Sequence, residues 1–589
     1  MYPWPATPGN RSILMFAQLV REMLTPSTFE SFRVYSLDTV ARIQEALLLA
    51  DDVRRGKIPI QTLNPIIDEL QWSFDKDLVA QELARAEIAS LFAVLKSTKN
   101  NLQLDILTSH LKLILKLVSP SYKATIERLV LESLGKPRDA INLRKLTGFY
   151  CSFLINAGYM RGHVLSTADE YFFANPVQRM GQARVSKFFR EFDCKPKKFV
   201  VHATVTSELG NYLSASRFSV HTVARLTAAQ RTVLASNPNF TQTPSTLELS
   251  TEQLDPLGAA NFAYQTLSSQ RAIAFLDPHG MNCDWGETMY VARARANSGT
   301  KVSRERFKLK FTSQALPRSP RSPRWRSIAN HAQAINTSFD VASTERLLSS
   351  INTAALATSS QNSENQLISL WSSIEVLLSD PREGPRILHY NNLIVPCIAY
   401  RHVRRQIIAL YEGLLVIYRR KLLDIVWKSV PARNPDVIGT FAGMMLLPQH
   451  GALRTELCNL LSDNPLALHR VWKLNAEYSN PKKAYSAIED HFNRVSWQIH
   501  RIYRARNQLV HAGRTPSYLE SIIINAAEYY RSATSTIVRA ASRETGKSDI
   551  DQVVAEIGIR YGIYKQKFAN RPDTDPMTHE DVSVLMRLN

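Results

Sequence analysis

Cysteine is scarce: five in 589 residues, at Cys151, Cys194, Cys283, Cys397 and Cys458. An odd, scattered set without a CxxC pair argues against a disulfide framework and against a structural zinc site. Glycine (21) and proline (28) are too few for a collagen-like or low-complexity chain. No stretch of about 18 apolar residues is free of charge, so no membrane span is expected. The opening MYPWPATPGNRS lacks a basic region followed by an apolar run, so no signal peptide is expected and a reducing, cytoplasmic setting is. Acidic residues are in deficit, 52 against 72 Lys and Arg, which leaves a net charge of +20. Such a surplus favours a polyanionic partner, nucleic acid or an anionic surface. Familiar catalytic patterns are also missing. Gly546-Lys547-Ser548 is preceded by Ala541 where a phosphate-cradling loop needs glycine, and there is no HExxH, GxSxG, EF-hand or kinase set.

The content that remains, 44% hydrophobic and 21% charged, is that of a globular protein of three or four domains. Apolar residues at helical spacing over 37–50 (Val40, Ile43, Leu47, Ala50) and 102–118 (Leu102, Ile106, Leu113, Ile114, Leu117) make residues 1–194 a helical N-terminal domain, regulatory or interacting. From 195 to 315 the texture changes to a small α+β or β-rich domain. Strands are expected at 198–207, 271–276, 287–296 and 306–312, and a long loop at 236–258. LPRSPRSPRW reads as a basic Pro-rich linker at 316–326. Residues 327–570 are helical again, and 571–589 read as a tail. Leu367, Leu370, Trp371, Ile374, Leu377 and Leu378 form one stripe. A basic helix over 400–421 carries Arg401, His402, Arg404, Arg405, Arg419, Arg420 and Lys421. A helical pair at 492–511 and 516–540 flanks a stop at Gly513.

Within that pair one segment suits chemistry: Arg504-Ala505-Arg506-Asn507-Gln508-Leu509-Val510-His511. On a helix Asn507 and His511 lie one turn apart, and His500, Tyr503 and Arg504 continue their stripe backwards. Arg506 sits one step aside, while Ile499, Ile502, Leu509 and Val510 are expected to bury the other side. A guanidinium offers a planar fork to phosphate oxygens, and imidazole moves protons near neutrality. With RNA the 2′-hydroxyl is a built-in nucleophile, so the chemistry needs no metal or other cofactor. Arg-to-His pairs recur elsewhere (Arg326/His331, Arg382/His389, Arg494/His500). Only the 506–511 copy has Asn directly after Arg and a turn just behind the His.

RNQLVHAG (506–513), together with Leu370-Trp371-Ser372-Ser373-Ile374-Glu375-Val376-Leu377-Leu378, resembles the motif and first helix of the HEPN superfamily, in particular Apea-like HEPN domains. The likeness covers about 360–545. It implies a mainly α protein whose C-terminal part is a helical bundle that dimerises and brings two Arg/His sets into one cleft. It also implies metal-independent RNA cleavage, in a toxin or phage-defence setting with an antitoxin or defence-system partner protein. Carried across, Arg506 holds the scissile phosphate, Asn507 orients the site, His511 is general acid or base, and Glu375 supports the arginine. Arg504, His500, Tyr503, Arg404 and Arg405 are the expected RNA contacts. Roughly 130 residues separate first helix and motif, which an insertion near 380–490 would explain. The competing reading is a non-catalytic helical protein that binds nucleic acid or a partner. A metal-dependent nuclease in the middle domain, with Asp284 and Glu287 as ligands, is a remoter one.

Overall fold

The computed structural model of the chain describes residues 7, 9–26, 28–97, 103–136, 139–174, 180–237, 245–277, 280–296, 298–307, 309, 324–360, 362–380, 385–430, 436–544 and 546–586. Helix dominates, at 72%, with 7% strand in one small antiparallel sheet near the middle of the sequence. The chain divides into two compact units. One joins Met1–Ser152, Pro176–Gln182 and Lys310–Asn589, and the other joins Phe153–Asn175 and Ala183–Leu309. The expected boundary at 194 therefore differs from the observed one, since 153–175 and 183–194 belong with the sheet. The expected linker at 316–326 lies outside the described residues up to 323, and a helix (Arg324–Ser338) begins at its end.

The sheet consists of β1 (Lys197–Val205), β2 (Ser219–Thr222), β3 (Ser245–Gln253), β4 (Trp285–Arg293) and β5 (Gly299–Ser303), in the order β2-β3-β1-β4-β5. Helices Ser207–Ala215 and Pro256–Ala274 follow β1 and β3, which gives a β-α-β-β-α-β arrangement with a fifth strand appended. Alternate residues of β1 (Phe199, Val201, Ala203, Val205) pack under Leu209, Leu213, Ala260, Ala263 and Leu267 of the two helices. On the opposite face Leu226 and Leu234 pack with Tyr290.

Two expectations fail here for local reasons. The strand expected at 271–276 is the end of the Pro256–Ala274 helix and the turn after it. Asp255 caps that helix by accepting from the Gly258 amide at 2.8 Å, and Pro256 opens it, so the helix runs on through the apolar RAIA. The loop expected at 236–258 contains β3, whose Leu247 and Leu249 alternate with Ser, Thr and Glu as a strand with one wet face requires. Of the strand expected at 306–312, Arg306 closes a 3₁₀ turn and most of the rest lies outside the described residues.

In the other unit, α1 (Thr39–Arg54) is capped by Asp38, which accepts from Ala41 N at 3.1 Å, and packs on α2 (Asn64–Lys76). The helix Leu104–Val118 buries Leu107, Leu111, Ile114 and Val118, while Leu113 and Leu117 of the expected stripe are exposed. Leu113, Leu115 and Leu117 are interleaved with the true stripe, so the apolar pattern can also be read two steps round.

The C-terminal bundle consists of α3 (Ser363–Leu377), α4 (Arg386–Ala399), α5 (His402–Trp427), α6 (Pro481–Ala512), α7 (Leu519–Ala541) and α8 (Ile550–Ala569). Leu367, Leu370, Trp371, Ile374, Leu377 and Leu378 are all buried, and α3 packs on α6 and α7. α6 runs for 32 residues and ends at Gly513, whose φ of 58° is the left-handed cap that glycine adopts without strain. α5 is broken at Arg419 (φ 43°, ψ −117°). α4 packs against α6, α7 and α8, so the insertion expected near 380–490 is not a separate lobe over its whole length. Residues from α5 to Tyr478 share a core with Tyr561, Phe568, Val582 and Leu585. The segment expected as a tail, 571–589, therefore holds a packed helix, His579–Met586, beside Val437–Leu446. No helix among the described residues is long and apolar enough to cross a membrane.

Candidate active site

α6 carries the motif, and its two faces meet different neighbours. Arg501 is fully buried, and its guanidinium bonds Glu45 Oε2 of α1 at 2.7 Å and Glu69 Oε2 of α2 at 2.5 Å. Arg504 Nη2 donates to the same Glu45 at 3.1 Å, and Arg42 Nε reaches Glu69 at 3.2 Å. Burial alone would push Glu45 up, but Arg501 and Arg504 outweigh it and hold the carboxyl at about 2. His500 is 8% exposed, and burial with the nearby Arg504 cation pushes it down to about 4, so it is neutral.

This corrects two expected RNA contacts. His500 and Arg504 lie on the stripe as foreseen, but His500 is buried and Arg504 is committed to Glu45 of α1. The sequence shows Arg501 and its carboxylates only as ordinary charges on amphipathic helices. The signal that was there is Glu45 falling between Ile43 and Ala46, three positions after Arg42, on the face that also carries Val40 and Leu49.

Two residues past Arg504, about 200° round the helix, the environment changes. Arg506 Nη2 lies 3.5 Å from Glu375 Oε2 of α3, and its Nη1 donates to Asn507 Oδ1 at 3.1 Å. Both charged side chains keep about a quarter of their surface in solvent, 22% and 24%. Arg506 Nε is buried and has no partner. Three of the four residues expected to form the site, Arg506, Asn507 and Glu375, are thus in contact across two helices 131 positions apart. His511 stands exposed in the last turn of α6, one turn on from Asn507. Tyr503 is half-buried with its ring 5.3 Å from Trp371 of α3, which buttresses the same junction. The loop behind the motif is tied back to α3 by Thr515 donating to Glu364.

Of the remaining expected contacts, Arg405 is turned inward. It bonds Ile398 O at 3.1 Å and lies 3.7 Å from Glu30, which removes it from any surface track. Arg404 is half-buried, and burial with the nearby Arg539 cation lowers its pKa. Val510, expected to be buried, is 46% exposed.

Metal-type donors come together once among the described residues, at Glu30, His402 and His491. His402 Nδ1 is 2.9 Å and His491 Nε2 3.4 Å from Glu30 Oε1, and the two rings stack 3.3 Å apart. Burial pushes both imidazoles below their ordinary range. Both ring nitrogens meet at the same Glu30 oxygen, and Arg405 lies 3.7 Å from it with a positive charge. The arrangement is that of a hydrogen-bonded junction. His491 precedes Arg506 by 15 positions on α6, about 22 Å along the axis, so it is remote from the motif. Asp284 and Glu287 are exposed and join no such grouping.

A guanidinium positioned by a carboxylate and an amide can bind a phosphodiester, and the exposed imidazole five positions further along the helix is of a type that moves protons near neutrality. Comparison with family models, with curated proteins and with solved structures finds no match to this chain.

Proposed function

We propose that the protein is a metal-independent endoribonuclease of HEPN type, acting through Arg506, Asn507, His511 and Glu375. In this reading Arg506 binds the scissile phosphate and offsets charge as the phosphorus becomes five-coordinate. His511 accepts the 2′-hydroxyl proton or returns one to the departing 5′-oxygen. The P–O5′ bond breaks as the O2′–P bond forms, leaving a 2′,3′-cyclic phosphate and a 5′-hydroxyl. A homodimer, as the resemblance implies, supplies a second imidazole so that both proton transfers have a donor or acceptor. A toxin or phage-defence role with an antitoxin or partner protein belongs to the same proposal.

The observation that carries it is the contact of Glu375 with Arg506 and of Arg506 with Asn507. A chance match of Arg, Asn, three residues and His on a surface helix gives no reason for a carboxylate 131 residues away to meet that arginine. The test is incubation of the purified full chain with total RNA, with the ends of the products analysed. Fragments ending in 2′,3′-cyclic phosphate, absent with Arg506→Ala or His511→Ala, are expected. Undiminished cutting by either variant removes the assignment.

A second reading keeps the fold and drops the chemistry. Arg506 already holds a carboxylate and an amide, so the site binds nucleic acid or a partner without cutting. RNA retention without cleavage products in the same assay would select it.

A further inference from the structure

Helices from the first and last parts of one compact unit wall a cavity of about 320 Å³. That volume lies within the roughly 300–1,000 Å³ of small-molecule sites. Three of the walls repeat one device. Trp72 and Lys76 of α2, His469 and Lys473 of the helix Pro465–Glu477, and Asp490 and Arg494 of α6 are each four positions apart, so each helix turns a single face to the cavity. The helix Ala140–Asn156 adds Arg144 and Lys145. None of these residues belongs to the motif. Arg494 precedes Arg506 by 12 positions, about 18 Å along α6.

The lining is cationic. Lys76, Arg144, Lys145, Lys473 and Arg494 share the cavity with two carboxylates, Glu477 and Asp490, which leaves a surplus of three positive charges. Of the five cations only Lys473 forms an ion pair among the described residues, with Glu477 at 3.2 Å. Arg144 donates to Ser31 O at 2.8 Å and Arg494 Nε to Asp490 O at 3.2 Å, both neutral carbonyls. Burial and the nearby Lys76 lower the Lys145 pKa. Burial and Arg144 bring Lys473 down to about 8 although Glu477 is beside it. Aromatic surface completes the lining. Tyr35 and Trp72 contribute rings 5.4 Å apart, and Trp472 stacks on His469. Trp472 and Ile141 are 51% and 47% exposed, so the cavity opens to solvent.

We propose that this cavity binds a free nucleotide, with its phosphates among Lys76, Arg144, Lys145, Lys473 and Arg494 and its base on the exposed indole of Trp472. Phosphate oxygens supply the charge and the acceptors that four of these cations lack. A base supplies a flat partner for an aromatic ring otherwise left in water. The inference goes beyond the nuclease reading and does not depend on it, because nucleotide binding is measured whether or not the protein cuts RNA.

The test uses thermal melts and titration calorimetry of the full chain with ATP, GTP, CTP and UTP, with pyrophosphate as the baseless control, at matched ionic strength. At least one nucleotide is expected to raise the Tm of the native chain by about 2–4 °C at saturation. The double variant Lys76→Gln/Lys145→Gln removes two neighbouring like charges that no carboxylate pairs. It should melt at or above the native temperature without ligand and bind that nucleotide at least about tenfold more weakly. Trp472→Ala alters an exposed ring. It should weaken nucleotide binding roughly tenfold and leave the response to pyrophosphate unchanged. Arg506→Ala should bind as the native chain does. No response of the native chain to any of the four nucleotides overturns the proposal, as does undiminished binding by the double variant. Loss of binding in Arg506→Ala would place the nucleotide at the motif instead and also overturn it. A response to pyrophosphate equal to that to nucleotides, with no effect of Trp472→Ala, overturns the assignment to a nucleotide.

Discussion

At the residue scale, two arginines five positions apart on α6 have opposite fates. Arg501 is sealed between Glu45 and Glu69, and Arg506 stands at a half-open junction with Glu375. Their substitutions should separate cleanly. Arg501→Met leaves the buried Glu45 with only Arg504 and Glu69 with only Arg42 to offset its charge, and should cost about 3–5 kcal/mol, read as a lower denaturation midpoint. Arg506→Ala breaks only a half-exposed pair and should change stability by less than about 1 kcal/mol, while lowering RNA cleavage by about 10²–10³-fold. Glu375→Gln keeps a hydrogen-bond acceptor for Arg506 and should slow cleavage by a smaller factor than Arg506→Ala, measured as initial rate on one RNA substrate. A loss equal to that of Arg506→Ala would mean that the carboxylate acts on the substrate directly.

At the scale of elements, Gly513 ends α6 in a left-handed conformation directly after the motif. Gly513→Ala should cost about 1 kcal/mol and shift the presentation of His511, so a lower Tm accompanied by reduced cleavage is expected. Much of this element was readable beforehand. Helical spacing placed the buried stripe of α3 and the stop at Gly513, because each is a local pattern within one or two turns. What the sequence left hidden depends on partners far away in the chain. Nothing local marks His500 as buried or Arg504 as held by Glu45, since the same residues would be equally at home in solvent. β3 was hidden for a different reason. A strand with one wet face spends half its positions on Ser, Thr and Glu, and in a stretch rich in Asn, Pro, Thr and Ser it reads as loop. The 271–276 segment misled in the opposite sense, because its apolar residues fit a strand until the cap at Asp255 is taken into account.

At the scale of the whole molecule, buried carboxylates set opposing pH dependences. Glu45 is held at about 2, below its ordinary 4.5, so it stabilises the fold above pH 4.5 and that contribution is lost as pH falls toward 2. Asp77 behaves the other way. Burial raises it from 3.8 to about 6, although Tyr122 and Val79 donate to it at 2.7 and 2.9 Å. The folded chain therefore holds a proton there that the unfolded chain releases, and stability falls as pH rises through the window from 3.8 to 6, by up to about 3 kcal/mol. Asp77→Asn should melt higher than the native chain at pH 7.5 and close to it at pH 4. An equal difference at both values would show that the carboxyl does not titrate in this window.

The clamp around Arg501 also bears on how the polypeptide is made. A ribosome delivers Glu45 and Glu69 more than 400 residues before the guanidinium that neutralises them. Until translation nears its end, Arg42 alone offsets the pair of anions on α1 and α2, and the helix that carries the motif does not yet exist. A C-terminal fragment expressed alone would meet the mirror problem, with Arg501 stranded, so the first third of the chain behaves as a folding companion to the segment that holds the chemistry.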